Sequence, residues 1–211
     1  MMARNTVIRL ATFPILGLAV ILAGITAVST IRTRRSAERF LAGFTSLNIG
    51  GSTAQDADRL ALRFGATKDC AQTRNNNCTY WVTFENSWLR RLRLAPRSRL
   101  FCTILVRHGM VSGRHCLYSL WDHTPKFAPY FVDVWEPPPP GWKPPSPLIV
   151  HGQWSAGLAG LFVSVRGDAT PEERHLAYSL NLSCLWRVGG CKGAESLLPA
   201  AVPLAKKELL Q

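Results

Sequence analysis

The stretch Leu100–Trp121, LFCTILVRHGMVSGRHCLYSLW, decides the kind of fold this chain makes. Two runs of β-branched, aromatic and aliphatic residues, Leu100–Val106 and Val111–Trp121, flank Arg107-His108-Gly109-Met110. Such residues fit a pleated, half-buried surface, and a glycine at a reversal supplies the backbone freedom a tight turn needs. The reading is a β-hairpin. With a three-residue loop centred on Gly109, Cys102 falls directly opposite Cys116. Directly opposed residues bring their Cβ atoms to about 4.5–5.5 Å, closer at non-hydrogen-bonded sites, which makes a disulfide feasible.

The period of two extends upstream. Tyr80, Val82 and Phe84 alternate with Trp81 and Thr83, and Leu92 and Leu94 alternate with Arg91 and Arg93. The expectation is an antiparallel β-meander of three or four strands, one face packed and one face basic. Ahead of it, Ala57, Leu60, Ala61 and Phe64 recur at helical spacing. Ser52 or Thr53 is the N-cap, Asp56 and Asp58 complement the helix dipole, and Gly65 stops the helix. This helix is the expected cover of the packed face.

Downstream, seven of the eleven residues in PPPPGWKPPSP (137–147) are proline. Such a run cannot join a central sheet or a helix interior, so it reads as an extended polyproline strap or spacer. Leu158–Val165 predicts one further strand. Thr170-Pro171-Glu172-Glu173 combines an N-cap, proline at the first helical position and glutamate at the third. It predicts a helix running to about Val188, with Leu176, Leu180 and Cys184 inward, followed by a short helix near Ala194–Leu198. The fold class is α+β.

No charged residue lies between Arg9 and Arg32. The stretch Leu10–Ile31, LATFPILGLAVILAGITAVSTI, makes a helix of about 33 Å, enough for a hydrocarbon core of about 30 Å. A cleaved signal is the competing reading, because Ala27-Val28-Ser29 offers small residues where signal peptidase reads. The apolar run exceeds the usual h-region of about 7–15 residues, so a retained transmembrane anchor is expected. Leu22-Ala23-Gly24 looks like a lipoprotein signal, but Ile25 stands where the lipidated cysteine would be. Arg32–Phe44 then reads as a basic juxtamembrane helix with Phe40, Leu41 and Phe44 on one side.

The chain therefore divides into a basic tail (1–9), the apolar span or signal (10–31) and a juxtamembrane helix (32–46). An α+β core (47–135), a proline-rich strap (136–148), a strand with a C-terminal helix packing on that core (149–199) and a tail (200–211) follow.

Six cysteines, all after the apolar segment, fall into three local couples: Cys70 with Cys78, Cys102 with Cys116, and Cys184 with Cys191. Short-range couples in even number suit disulfides in an oxidising compartment. Fifteen pairings exist in principle, and proximity selects these three. Arg32, Arg34, Arg35 and Arg39 outnumber the charges before the span and by the positive-inside rule favour a cytoplasmic body. The cysteines argue the opposite. Weighed together, they place the body on the extracytoplasmic side of a single-pass anchor.

The 211 residues carry 25 Lys+Arg against 13 Asp+Glu, a formal charge of +12. Arginine outnumbers lysine 19 to 6, and guanidinium forks suit phosphate and carboxylate oxygens. Arg90, Arg91, Arg93, Arg97 and Arg99 crowd beside Trp88 and the turn at Ala95-Pro96. This cluster is the candidate surface for anionic lipid headgroups or an envelope polymer. A protein partner is a further possibility, and nucleic acid is not expected for an exported chain. No nucleophile elbow, zincin, Walker or dinucleotide signature is present, and no cofactor or metal site is expected. Gly152-Gln153-Trp154-Ser155-Ala156-Gly157 has its first glycine one place too early for a nucleophile elbow. The hairpin can bring His108, His115 and His123 together, and Asp122 is a candidate to pair with Asp133. These residues carry the alternative of a small hydrolase-like envelope enzyme. The second alternative reverses the topology, making the body a cytosol-facing, basic membrane-surface module.

Gly51-Ser52-Thr53, Leu60 and Gly65, followed by strands, resemble the outer-membrane-assembly lipoprotein family called BamE (SmpA/OmlA). The resemblance covers residues 47–121 and implies a membrane-tethered binding or scaffolding role. The chain departs from that family in lacking the lipid-bearing cysteine and in adding the proline strap and a C-terminal helix.

Overall fold

A computed structural model describes residues 2–70, 77–121, 130–155, 158–191 and 193–203. It contains a helix α1 (Met2–Ser46), a helix α2 (Ala54–Arg63), strands β1 (Thr67–Cys70) and β2 (Cys78–Glu85), and a short helix α3 (Ser87–Arg91). Strands β3 (Arg97–Arg107), β4 (Met110–Trp121), β5 (Tyr130–Glu136), β6 (Leu148–Ser155) and β7 (Leu158–Val165) follow, then helix α4 (Pro171–Tyr178). Two 3-10 turns, Leu182–Leu185 and Ala194–Ser196, complete the described elements. The chain is α+β, as its patterning indicates.

The seven strands form one sheet in the order β1-β2-β3-β4-β5-β7-β6. Every neighbouring pair is antiparallel except β5 and β7, which run parallel. The sheet is therefore mixed and wider than the expected three- or four-strand meander. Parallel pairing needs a crossover. Here the strap and β6 carry the chain past the site where β7 inserts, and no local pattern announces that. The strap is also not uniformly extended: Trp142 N–H donates to the Pro139 carbonyl (3.1 Å), closing a tight turn.

One face of the sheet is the core. Val82, Cys102, Cys116, Val134, Val163 and Val150 form a single row across six strands, each at most 1% exposed. Over this face lie α2, α4, the two 3-10 turns and the C-terminal half of α1, which contributes Ala37, Phe40, Leu41, Phe44 and Leu47. Phe40 packs its ring against Phe44, Phe64 and Phe84 at centroid distances of 5.4, 5.5 and 5.6 Å.

The caps match their sequence signals. Thr53 and Asp56 form a capping box at the start of α2, and Thr170 and Glu173 form one at the start of α4. Gly65 (φ 70°) turns the chain out of α2 in a left-handed conformation that suits glycine. Three expectations fail. The helix from Pro171 stops at Tyr178 rather than near Val188, and Asn181 starts a separate 3-10 turn by accepting from Ser183 N–H (3.1 Å). Leu92 and Leu94 lie not on a strand but beyond the end of α3, where Arg93 takes a left-handed φ of 56°. The span and the juxtamembrane helix are not separate: α1 runs unbroken through both.

The three cysteine couples are disulfides, Cys70–Cys78, Cys102–Cys116 and Cys184–Cys191, with Cα–Cα distances of 4.1, 4.2 and 5.2 Å. Within α1, Leu16–Ser46 holds a window of mean hydropathy 1.7 that is long and apolar enough to cross a membrane.

Candidate functional site

The arginine cluster lies on the excursion between β2 and β3. Asn86, 2% exposed, closes its base: its Nδ2 donates to the Pro96 carbonyl (2.9 Å) and its Oδ1 accepts from Ser98 N–H (2.9 Å). The single turn of α3 buries Leu89 and exposes Arg90 and Arg91. Arg93 is also exposed, whereas Arg97 and Arg99 are half-buried at the start of β3. Glu85 accepts from Arg90 (3.1 Å) and Arg97 (3.0 Å). Burial pushes the Glu85 carboxyl up, but those two guanidinium groups outweigh it and hold it below the usual range. Arg91 lies over the Trp88 ring at 5.6 Å, and Arg99 lies over Phe101 at 5.2 Å. The five arginines thus divide: Arg93 is exposed, Arg91 is exposed but lies over Trp88, Arg90 and Arg97 share one carboxylate, and Arg99 faces the open side of the sheet.

The loop closed by Cys184–Cys191 packs against this excursion, an adjacency no local pattern reveals. Gly189 N–H donates to the Leu94 carbonyl (2.8 Å). Gly190, at φ 67°, comes so close to Pro96 that an added Cβ would stand 2.7 Å from its Cγ. Both constraints call for glycine there. The paired loops then meet α1, where the Arg34 guanidinium sits 4.0 Å from the centre of the Trp186 ring. Between them and α1 lies a cleft of about 620 Å³, bordered by Leu22, Thr26, Thr30, Leu92, Leu94 and Val188 among others. On the other side of α3, Arg32, Arg63, Glu85 and Ser87 help to line a more polar pocket of about 580 Å³.

The histidines do not assemble. His108 sits in the hairpin turn at φ 53°, its N–H donating to Asn77 Oδ1 (3.2 Å). His115 lies several residues along β4, where its Nε2 is 2.5 Å from Asp133 Oδ1 and its ring stacks on Trp135 at 4.0 Å. Asp122 and His123 lie outside the described residues. Among the described residues no three His, Cys, Asp or Glu groups converge to hold a metal ion. Gly152–Ser155 belongs to β6, a regular strand paired with β7, and not to a strand-to-helix turn.

A second charged group is buried on the helix-covered side. Arg114 and Glu136 face each other across β4 and β5, exposed by only 2% and 1%, and form an ion pair. Arg114 Nη1 also donates to the Phe44 carbonyl (2.7 Å) in the last turns of α1, and Arg174 Nε donates to Glu136 Oε1 (2.9 Å). Comparison with protein-family models, curated proteins and solved structures returns no match for this chain.

Proposed function

We propose that this is a single-pass, membrane-anchored protein whose body lies on the extracytoplasmic side and works as a non-catalytic interaction module at the bilayer surface. The observation that carries the reading is the continuity of α1: one helix holds both the charge-free stretch and the aromatic stripe Phe40–Phe44 seated in the core. The body is thereby held against the lipid rather than on a loose tether. Arg90, Arg91 and Arg93 lie on the segment whose Leu89, Leu92 and Leu94 border the cleft against the charge-free part of α1, where headgroup phosphates would meet them. The BamE-like reading of residues 47–121 agrees with a tethered binding role and adds no residue to it.

The enzyme alternative draws on His108, His115 and His123 with Asp122 and Asp133; of these, His115 and Asp133 meet, and no three His, Cys, Asp or Glu groups converge among the described residues. The cytosol-facing alternative is favoured by Arg32, Arg34, Arg35 and Arg39.

Extraction of the full chain in polymer nanodiscs tests the proposal. The co-purified lipid should be enriched in anionic headgroups over the surrounding membrane, and Arg90→Gln, Arg91→Gln and Arg93→Gln together should abolish that enrichment. Raising the salt before extraction should weaken it, because the Debye length falls to about 3 Å at 1 M. Equal enrichment in wild type and triple variant would overturn the assignment of these arginines.

A further inference from the structure

Arg9 and Arg32 bracket the charge-free stretch of α1. A hydrocarbon core of about 30 Å takes about 20 helical residues. The 22 residues Leu10–Ile31 leave little slack, so the depth of the bilayer along α1 is set to within about one turn. The body does not end where the charges begin. Its paired loops run alongside α1 past Arg32 as far as Leu22 and Thr26. From Ile31 to Leu22 the helix rises about 13 Å, close to the thickness of one hydrocarbon leaflet.

Along that stretch the loops present Leu92, Leu94 and Val188, which are 37%, 42% and 66% exposed. Three large apolar side chains bordering one apolar cleft are disfavoured against water and at home in lipid. A second, independent feature agrees. Backbone placed in hydrocarbon must satisfy its own polar groups. The amides of Leu92, Arg93 and Leu94 donate to Trp88, Arg90 and Leu89, and those of Gly189 and Gly190 donate to Leu94 and Arg187. The neighbouring Arg91, Arg93 and Arg187 are exposed and long enough to reach back to the headgroups.

The cleft is lined almost wholly by apolar side chains, with Thr26, Thr30 and the Trp186 indole as its polar-bearing members and no charged group among the described residues that line it. Thr26 Oγ1 donates to the Leu22 carbonyl (2.7 Å) and Thr30 Oγ1 to the Thr26 carbonyl (2.9 Å), so both hydroxyl protons are spent on their own helix. We infer that loops 92–96 and 186–190 form a foot inserted into the leaflet beside α1, and that the cleft between foot and helix holds a phospholipid acyl chain. The inference rests on the membrane-anchor reading and deepens it. The anchor is then a helix and a foot, gripping one lipid between them.

The test uses the full chain reconstituted in vesicles of phosphatidylcholine and phosphatidylglycerol carrying a diazirine midway along one acyl chain. After irradiation, adducts are mapped by peptide mass spectrometry. Adducts are expected on residues 88–94 and 186–190 as well as along α1. Leu92→Glu with Val188→Glu should lower those on the foot about tenfold or more and leave those on 10–21 unchanged, since a charge at this depth is strongly disfavoured. Both positions are exposed, and retention of the three disulfides in the variant confirms its fold. Adducts confined to α1 would overturn the foot and leave the anchor reading standing. A complete absence of adducts would overturn both. Inter-chain crosslinking from a photoreactive residue at Ala27 would overturn the lipid occupant in favour of a second copy.

Discussion

Arg114 shows how a single side chain joins the parts of this molecule. Its guanidinium is buried, yet it has three uses: the ion pair to Glu136, the hydrogen bond to the Phe44 carbonyl, and stacking 5.7 Å and 5.3 Å from the Phe44 and Tyr178 ring centres. The last carbonyls of a helix lack intrahelical partners and carry partial negative charge, so a cation there both satisfies and orients the end of α1. Burial pushes the Tyr178 hydroxyl well above the ordinary phenol range, with Arg114 opposing, so it stays protonated beside Glu136. Removing one member of such a group leaves the other charged without its main partner. Glu136→Leu is expected to destabilise the protein by about 3–5 kcal/mol, while Arg114→Met with Glu136→Leu regains most of that loss. Thermal unfolding of the two variants in detergent decides it. Equal losses would show that the pair itself, and not the stranded charge, matters.

The hairpin of β3 and β4 carries its lesson at the level of the element. The patterning of Leu100–Trp121 predicts a three-residue loop and opposes Cys102 to Cys116. The opposition is present, but the loop has two residues, His108 and Gly109, both at positive φ (53° and 78°), as hairpin turns of this length require. A bulge between Leu105 and Val106 on one side and Val111 and Gly113 on the other inserts Ser112. One residue fewer in the turn and one more in the strand restore the same register. The disulfide then closes a segment of sequence separation 14 inside the sheet. Cys102→Ala with Cys116→Ala should cost about 3 kcal/mol on the chain-entropy account, read as a lower unfolding midpoint at constant topology. A change under a few tenths would mean the cross-strand neighbours alone hold the register. The α3 excursion teaches the converse. Over a few residues, Arg-Leu-Arg-Leu satisfies a strand pattern as well as a turn pattern, and the buried Asn86 that closes the loop is a non-local choice.

For the whole molecule, the proposed anchor turns on which side of a membrane the body would occupy. Three disulfides within one domain argue for the outside, and four arginines after the charge-free stretch of α1 argue for the inside. Treating the native full chain with a thiol-reactive polymer should add no mass before reduction and six labels after it. Six labels without reduction would place the body in a reducing compartment.

The local features were legible in the sequence alone: the apolar stretch, the Phe40–Phe44 stripe, the capping boxes at Thr53 and Thr170, the period of strand β2 and the three cysteine couples. Each depends on residues at most one hairpin apart, so spacing and side-chain chemistry suffice. Tertiary structure decided the parallel β5–β7 pairing, the His115–Asp133 contact and the joining of Leu94 to Gly189. It also decided that α1 runs unbroken along the body, so that Leu22 and Thr26 border the same cleft as Leu92 and Val188. These arrangements join segments far apart in the chain. What selects them is the shared burial of a sheet face and the satisfaction of buried polar groups, quantities that exist only once the whole chain has folded.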